Sequence, residues 1–256
     1  VKLNINHWAT RLLYLFLAAD LIFILVHLIY LYTPVNSNDL YSIERDRGYA
    51  EIFQYLKEYW IVLLLGFVAV RQRSLLSLGW SLLFFYLLLD DSIQIHESLG
   101  EIIARELGFS AALGLRAVDF GEVIVSASAG VVFFLFIAIA YKFSDRFFRK
   151  VSQDLIKMLF ILAVFGIVVD LLHVIVAQLP AMESLVGLLE DGGEHVVLSF
   201  IAWYTFLLPE RLQLETNNST ALESTIRPQD LSENNGVSAG FASSLNRSTQ
   251  TYPTDD

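Results

Sequence analysis

The chain has 256 residues, 55% hydrophobic and 17% charged, with a mean hydropathy of +0.55. Soluble domains average ~45–50% apolar and ~25% charged, so the excess points to an integral membrane protein. A net charge of -10 argues against nucleic-acid binding, which needs a basic surface, and the lack of cysteine excludes disulfides, thiolate metal sites and thiol catalysis.

Six apolar runs follow in chain order, each close to the ~20 residues that a helix needs to cross the hydrocarbon core. The first, about residues 12–32, is too long for a signal h-region and is read as a retained span. The second, about 52–70, carries Lys57 and Glu58 near its start, with Tyr59 and Trp60 as interfacial aromatics. The third, about 75–95, is expected to continue beyond the membrane as HESLGEIIARELG and to end near Gly108. The fourth covers about 118–141. The fifth covers about 155–179 and stops at Pro180, and the sixth about 185–208, stopped by Pro209. The apolar part of the sixth is short, which draws its EDGGEH segment partly into the membrane. From Glu210 to the end the chain is rich in Ser, Thr, Asn and Gln and is expected to form a disordered tail.

Basic residues alternate in number between the two sides of this layout. Lys2, Arg11, Arg71, Arg73, Lys142, Arg146, Arg149, Lys150 and Lys157 fall on one side. Arg45, Arg47, Lys57, Arg105 and Arg116 fall on the other. The excess puts both termini in the cytoplasm, which also removes the Asn-x-Ser/Thr sequons of the tail from glycosylation. The fold class is therefore an all-α polytopic bundle, in the plasma membrane or another energy-coupling membrane.

Depth along the helices singles out a polar layer. His27, His173 and His195 each stand 16 residues from an inner basic anchor, Arg11, Lys157 and Arg211 respectively. That is roughly 24 Å of helix, near the outer boundary of a core about 30 Å thick. Asp90 and Asp91 fall at a similar depth. Helical spacing groups these residues into stripes. Asp170 pairs with His173, Asp191 with Glu194 and His195, Asp119 with Glu122 and Ser126, and Asp90 with Gln94, Glu97 and Glu101. Asp20 lies deeper and reads as a lone packing or protonated residue. Gly192-Gly193 either permits close packing or breaks the sixth helix.

Imidazole and carboxylate together suit zinc or iron, and ionisable groups at membrane depth point to function. The expected metal ligands are His27, Asp90, Asp91, Asp170, His173 and His195. Glu97, Glu122 and Glu194 are candidate catalytic bases. The reading is a zinc- or iron-dependent membrane hydrolase acting on a lipid-like substrate. The alternatives are proton or ion translocation, haem binding through His27 and His173, and a non-catalytic membrane subunit. The general layout is similar to the membrane hydrolases that include alkaline ceramidases and adiponectin-type receptors. Those are multi-span proteins with zinc held by histidines and a nearby aspartate. This chain departs from them: Glu194-His195 stands where a His-x-x-x-His pair would close the site, and it has one span fewer.

Overall fold

The computed structural model describes residues 8–34, 38–112, 115–169, 172 and 180–245, with side chains in the last stretch described for 184–218. These residues form helices and turns, with no β-strand among them. The helices are α1 (Trp8–Tyr32), α2 (Tyr49–Gln72), α3 (Leu75–Ile93), α4 (Ile95–Glu106), α5 (Ala117–Lys142), α6 (Arg146–Ala163) and α7 (Pro180–Leu245). A 3-10 turn, Asp39–Tyr41, lies between α1 and α2, and a π-helical turn, Val164–Val169, extends α6.

Among the described residues, five helical stretches are long and apolar enough to cross a membrane: Trp8–Tyr32, Tyr49–Gln72, Leu75–Ile93, Ala117–Lys142 and Arg146–Val169. The protein is accordingly membrane-embedded. The sixth expected span, 185–208, lies within α7 and is not one of these five. The chain divides into two units, Val1–Leu208 and Pro209–Asp256. In the second, the polar segment expected to lack structure is helical backbone as far as Leu245, with Thr216 Oγ1 donating back to Leu212 O.

Capping residues set the helix ends. Ser74 starts α3, its hydroxyl accepting from Ser77 N–H at 3.2 Å. Arg73, in the left-handed region, closes α2 just before it. Asp119 reaches back to Arg116 at the start of α5, accepting from its backbone N–H at 2.7 Å and from its guanidinium.

The third span corrects the sequence reading. It does not run on through HESLGEIIARELG. Gln94 takes a left-handed conformation (φ 57°, ψ 52°) and ends α3, and a separate helix, α4, begins at Ile95. Asp90 makes the break possible. Its carbonyl accepts from Gln94 N–H at 2.7 Å, and its carboxylate accepts from His96 N–H at 2.8 Å. α4 then packs on α5 at two glycines. A Cβ on Gly121 would lie 2.1 Å from Gly100 O, so only hydrogen fits.

The core of the first unit is apolar. Leu13 and Phe16 of α1 are buried with Ile61 and Leu65 of α2 and with Leu198, Ile201 and Ala202 of α7. Trp80 of α3 is fixed by donating to Ser152 Oγ of α6 at 2.9 Å. Tyr204 of α7 donates to Asp154 of α6 at 3.0 Å. Phe165 in the π turn lies over Gly193, where an added Cβ would meet its ring at 2.3 Å. Gly193 is thus a close-packing position, whereas a Cβ on Gly192 would meet Ile24 at an ordinary 3.6 Å, and α7 runs through both unbroken.

Candidate functional site

Carboxylates gather at the end of the bundle where α1 ends, α2 begins and α3 ends. A cleft of about 110 Å³ opens there. Glu44, Asp46, Glu51, Asp91, Asp191 and Glu194 line it, together with Ile43, Arg45, Gln54 and His195. Gln54 Nε2 donates to Glu194 Oε2 at 3.2 Å and steadies it. Behind the lining, Glu58 is 1% exposed, with its carboxyl against that of Asp91. Its Oε2 has no hydrogen-bond partner among the described residues.

Beneath His195 lies a second, fully buried cluster. The Lys57 ammonium donates to His195 O at 2.7 Å, Asp20 Oδ1 at 3.0 Å and Ser199 Oγ at 3.3 Å. Ser199 in turn donates to Asp20 Oδ2 at 2.5 Å. The ammonium also lies 5.0 Å from the centre of the Phe53 ring. Asp20 offsets the charge of the ammonium, and the carbonyl and hydroxyl take up its remaining N–H groups. This overturns two expectations. Asp20 is not alone, and Lys57, counted with the basic residues of one side, is a wholly buried link between α1, α2 and α7.

The histidines are held by the protein itself. His27 is buried, and its Nδ1 accepts from Ile43 N–H at 3.2 Å, with Ser42 Oγ at 3.3 Å. An accepting Nδ1 leaves the proton on Nε2, and that nitrogen faces Glu44 at 3.9 Å. His195 Nδ1 lies 3.3 Å from the Lys57 ammonium, which can only donate. In its neutral form His27 therefore does not offer Nε2 as a free lone pair for a metal, while His195 Nδ1 stands between the Lys57 ammonium and Asp20 Oδ1, 3.7 Å away. Among the described residues, no group of three or more His, Asp or Glu side chains is arranged to hold a metal ion directly.

The expected site residues thus fall into three places. Asp91, Glu194 and His195 meet at the cleft, and His27 adjoins it through Glu44. Asp90, Glu97 and Glu122 gather instead around His96 at the junction of α3, α4 and α5. There His96 Nδ1 lies 3.1 Å from Asp90 Oδ2, and Glu97 and Glu122 add to the negative field on the ring. The hydrogen bond to Asp90 pushes the His96 imidazole above its ordinary value, with burial opposing. Asp170 and His173 lie outside the described residues.

Sequence reasoning passed over Glu51, Gln54 and Glu58. Their spacing of three and four residues was a visible signal, since it makes one polar stripe on α2 of the kind credited to its neighbours. Glu44 and Asp46 carried no such signal, because they sit in a loop.

No curated protein matches the chain, and no solved structure matches it. A family model does match, over most of the bundle. The chain belongs to DUF8692, a domain of unknown function, whose model covers residues 47–208.

Proposed function

We propose that this membrane protein holds a hard divalent cation in the acidic cleft and uses it for hydrolytic chemistry on a lipid-like substrate. The observation that carries this reading is the lining itself: six carboxylates around one small cleft, with Arg45 as the basic side chain among them. Oxygen donors suit Mg²⁺, Ca²⁺ or Mn²⁺, whereas zinc and iron favour sites with imidazole. His27 is turned to Ile43 and the lining is mostly carboxylate, which moves the reading from zinc or iron towards these harder ions. The lining carboxylates surround the space without converging on a point. That suits a cation that keeps part of its water shell, as Mg²⁺ does.

Asp91, Asp191 and Glu194 are the residues that would hold the ion, with Gln54 fixing the Glu194 carboxylate. When bound, such an ion supplies an activated water and a Lewis acid for ester or phosphoester cleavage. The position of the cleft at the bundle end suits a substrate that presents its headgroup at the bilayer surface. The membrane in question is taken to be the plasma membrane or another energy-coupling membrane.

A thermal-shift titration of the purified protein in detergent with Mn²⁺, Mg²⁺, Ca²⁺ and Zn²⁺ tests the reading. A ligand at 100-fold its Kd stabilises the folded state by about 2.7 kcal/mol. The expected result is stabilisation by a hard ion that weakens tenfold or more in Asp91→Asn/Glu194→Gln. No stabilisation by any of the four ions would overturn it. Stoichiometric zinc in preference to the others would return the histidines to the ligand set.

Proton translocation is the second reading. It is favoured by the polar chain from His195 through Lys57 to Asp20 and Ser199. It ranks lower because Leu13, Phe16, Ile61, Leu65 and Leu198 fill the bundle core among the described residues. Haem ligation through His27 would need the Nε2 lone pair that the Ile43 hydrogen bond removes.

A further inference from the structure

One wall of the cleft is not helical. Residues 42–48 form this wall, with Ile43, Glu44, Arg45 and Asp46 in the lining. The two ends of this segment are held in different ways. At the first, Ser42 and Ile43 are buried, and Ile43 N–H donates to the buried His27 at 3.2 Å. At the second, Arg47 N–H donates to the Glu51 carboxylate of α2, and Gln94, the turn residue between α3 and α4, adds two side-chain bonds. Arg47 Nη2 donates to Gln94 Oε1 at 3.1 Å, and Gln94 Nε2 donates to Asp46 Oδ2 at 3.3 Å. Both of these bonds are exposed. Arg47 itself is left-handed (φ 58°), and a Cβ on the following Gly48 would lie 2.7 Å from Arg45 O, so the chain bends tightly there.

Burial decides which end releases. A buried N–H that loses its acceptor has no water to replace it, whereas an exposed bond exchanges with water at little net cost. The His27 end is therefore an anchor and the Gln94 end a latch. His27 also defines a further closed position. Its Nε2–H is a buried donor without a hydrogen-bond partner among the described residues, and it faces the Glu44 carboxylate at 3.9 Å. An inward shift of about 1 Å would bring that pair to an ordinary hydrogen-bond length.

We propose that residues 42–48 form a gate over the cleft, anchored at His27 and latched at Gln94. The gate opens at the latch to admit a ligand and closes as Glu44 engages His27 Nε2. What passes through it rests on the cation reading given above, but the gate itself does not.

The absence of cysteine makes the test direct. Glu194→Cys places a unique thiol in the cleft, and Asp191→Cys gives a second reporter should the first not fold. The rate of modification by a water-soluble, charged thiol reagent is measured on the full chain in detergent, with and without Gln94→Asn. Asparagine tolerates the left-handed turn but is one methylene too short to hold the latch. The expected result is modification several-fold faster in the Gln94→Asn background. An equal or slower rate at both reporter positions overturns the gate. A Mn²⁺ titration of the cysteine-free parent runs alongside. Faster labelling without Mn²⁺ binding removes the cation reading and leaves the gate. Mn²⁺ binding with unchanged labelling removes the gate and leaves the cation reading.

Discussion

Lys57 illustrates how a single side chain can be misplaced by its sequence neighbourhood. Beside Glu58 and ahead of Tyr59 and Trp60, it looks like an interfacial residue. Its partners Asp20 and Ser199 are 37 and 142 residues away, so nothing local announces them. Removing one member of such a buried pair leaves the other charge uncompensated, at a cost of ~3–5 kcal/mol. Lys57→Met should therefore lower stability by that amount in detergent unfolding, and adding Asp20→Asn should restore most of it. Equal stability of Lys57→Met and wild type would show the pair to be dispensable. His96 gives a prediction in pH. The Asp90 carboxylate holds its proton on above the ordinary imidazole value. The contribution to stability is thus present in full below ~6.5 and is lost as the pH rises through the raised folded value. The melting temperature of the wild type should fall across that window relative to His96→Gln. Parallel pH profiles for the two proteins would rule out a stabilising role for the pair.

Helices α1, α2 and α5 lie close to where apolar runs alone place them, because twenty or more apolar residues leave the backbone little alternative in lipid. The break at Gln94 was not legible. Helical periodicity continues on both sides of it, and the cause is a carboxylate four residues earlier that caps the next helix. The crossing of α4 over α5 was equally hidden, since single glycines at positions 100 and 121 look like ordinary helix residues until the two backbones meet. Gly121→Ala must push α4 away, and overpacking of this kind costs ~1–3 kcal/mol or more. Gly130 on the same helix has nothing within 4 Å of a built Cβ. Gly130→Ala should instead be neutral or gain up to ~1 kcal/mol from helix propensity. Calorimetric melting of the two variants separates the cases, and a loss at both would contradict the close-approach account.

At the scale of the whole molecule, carboxylates are in excess at the cleft end of the bundle, although Arg45 also lines the cleft. The cleft holds the carboxylates, while Arg71, Arg73, Lys142, Arg146 and Lys150 cluster where α2 meets α3 and α5 meets α6. The positive-inside rule predicts that this basic end faces the cytoplasm. A cysteine at the exposed Phe143 should then react with an impermeant reagent only from the cytoplasmic face, and one at Ser110 only from the other. Labelling of both from one face would reverse or break the topology. Counting from the basic anchors needs only the rise of a helix, and it singled out Asp91, Glu194 and His195, which meet at the cleft. The division of the polar layer into a cleft and a His96 junction was not legible, since rotation of each helix about its axis is set by packing. The Lys57 link also has a consequence for biosynthesis. Asp20 and Lys57 leave the ribosome early, whereas His195 O and Ser199 follow 138 and 142 residues after the lysine. Until α7 arrives, the ammonium lacks two of its acceptors, at a depth where a lysine costs ~2.5–3.5 kcal/mol to insert. A chain stalled before its last helix therefore carries an incompletely shielded charge at the place where the finished protein has a closed ion pair.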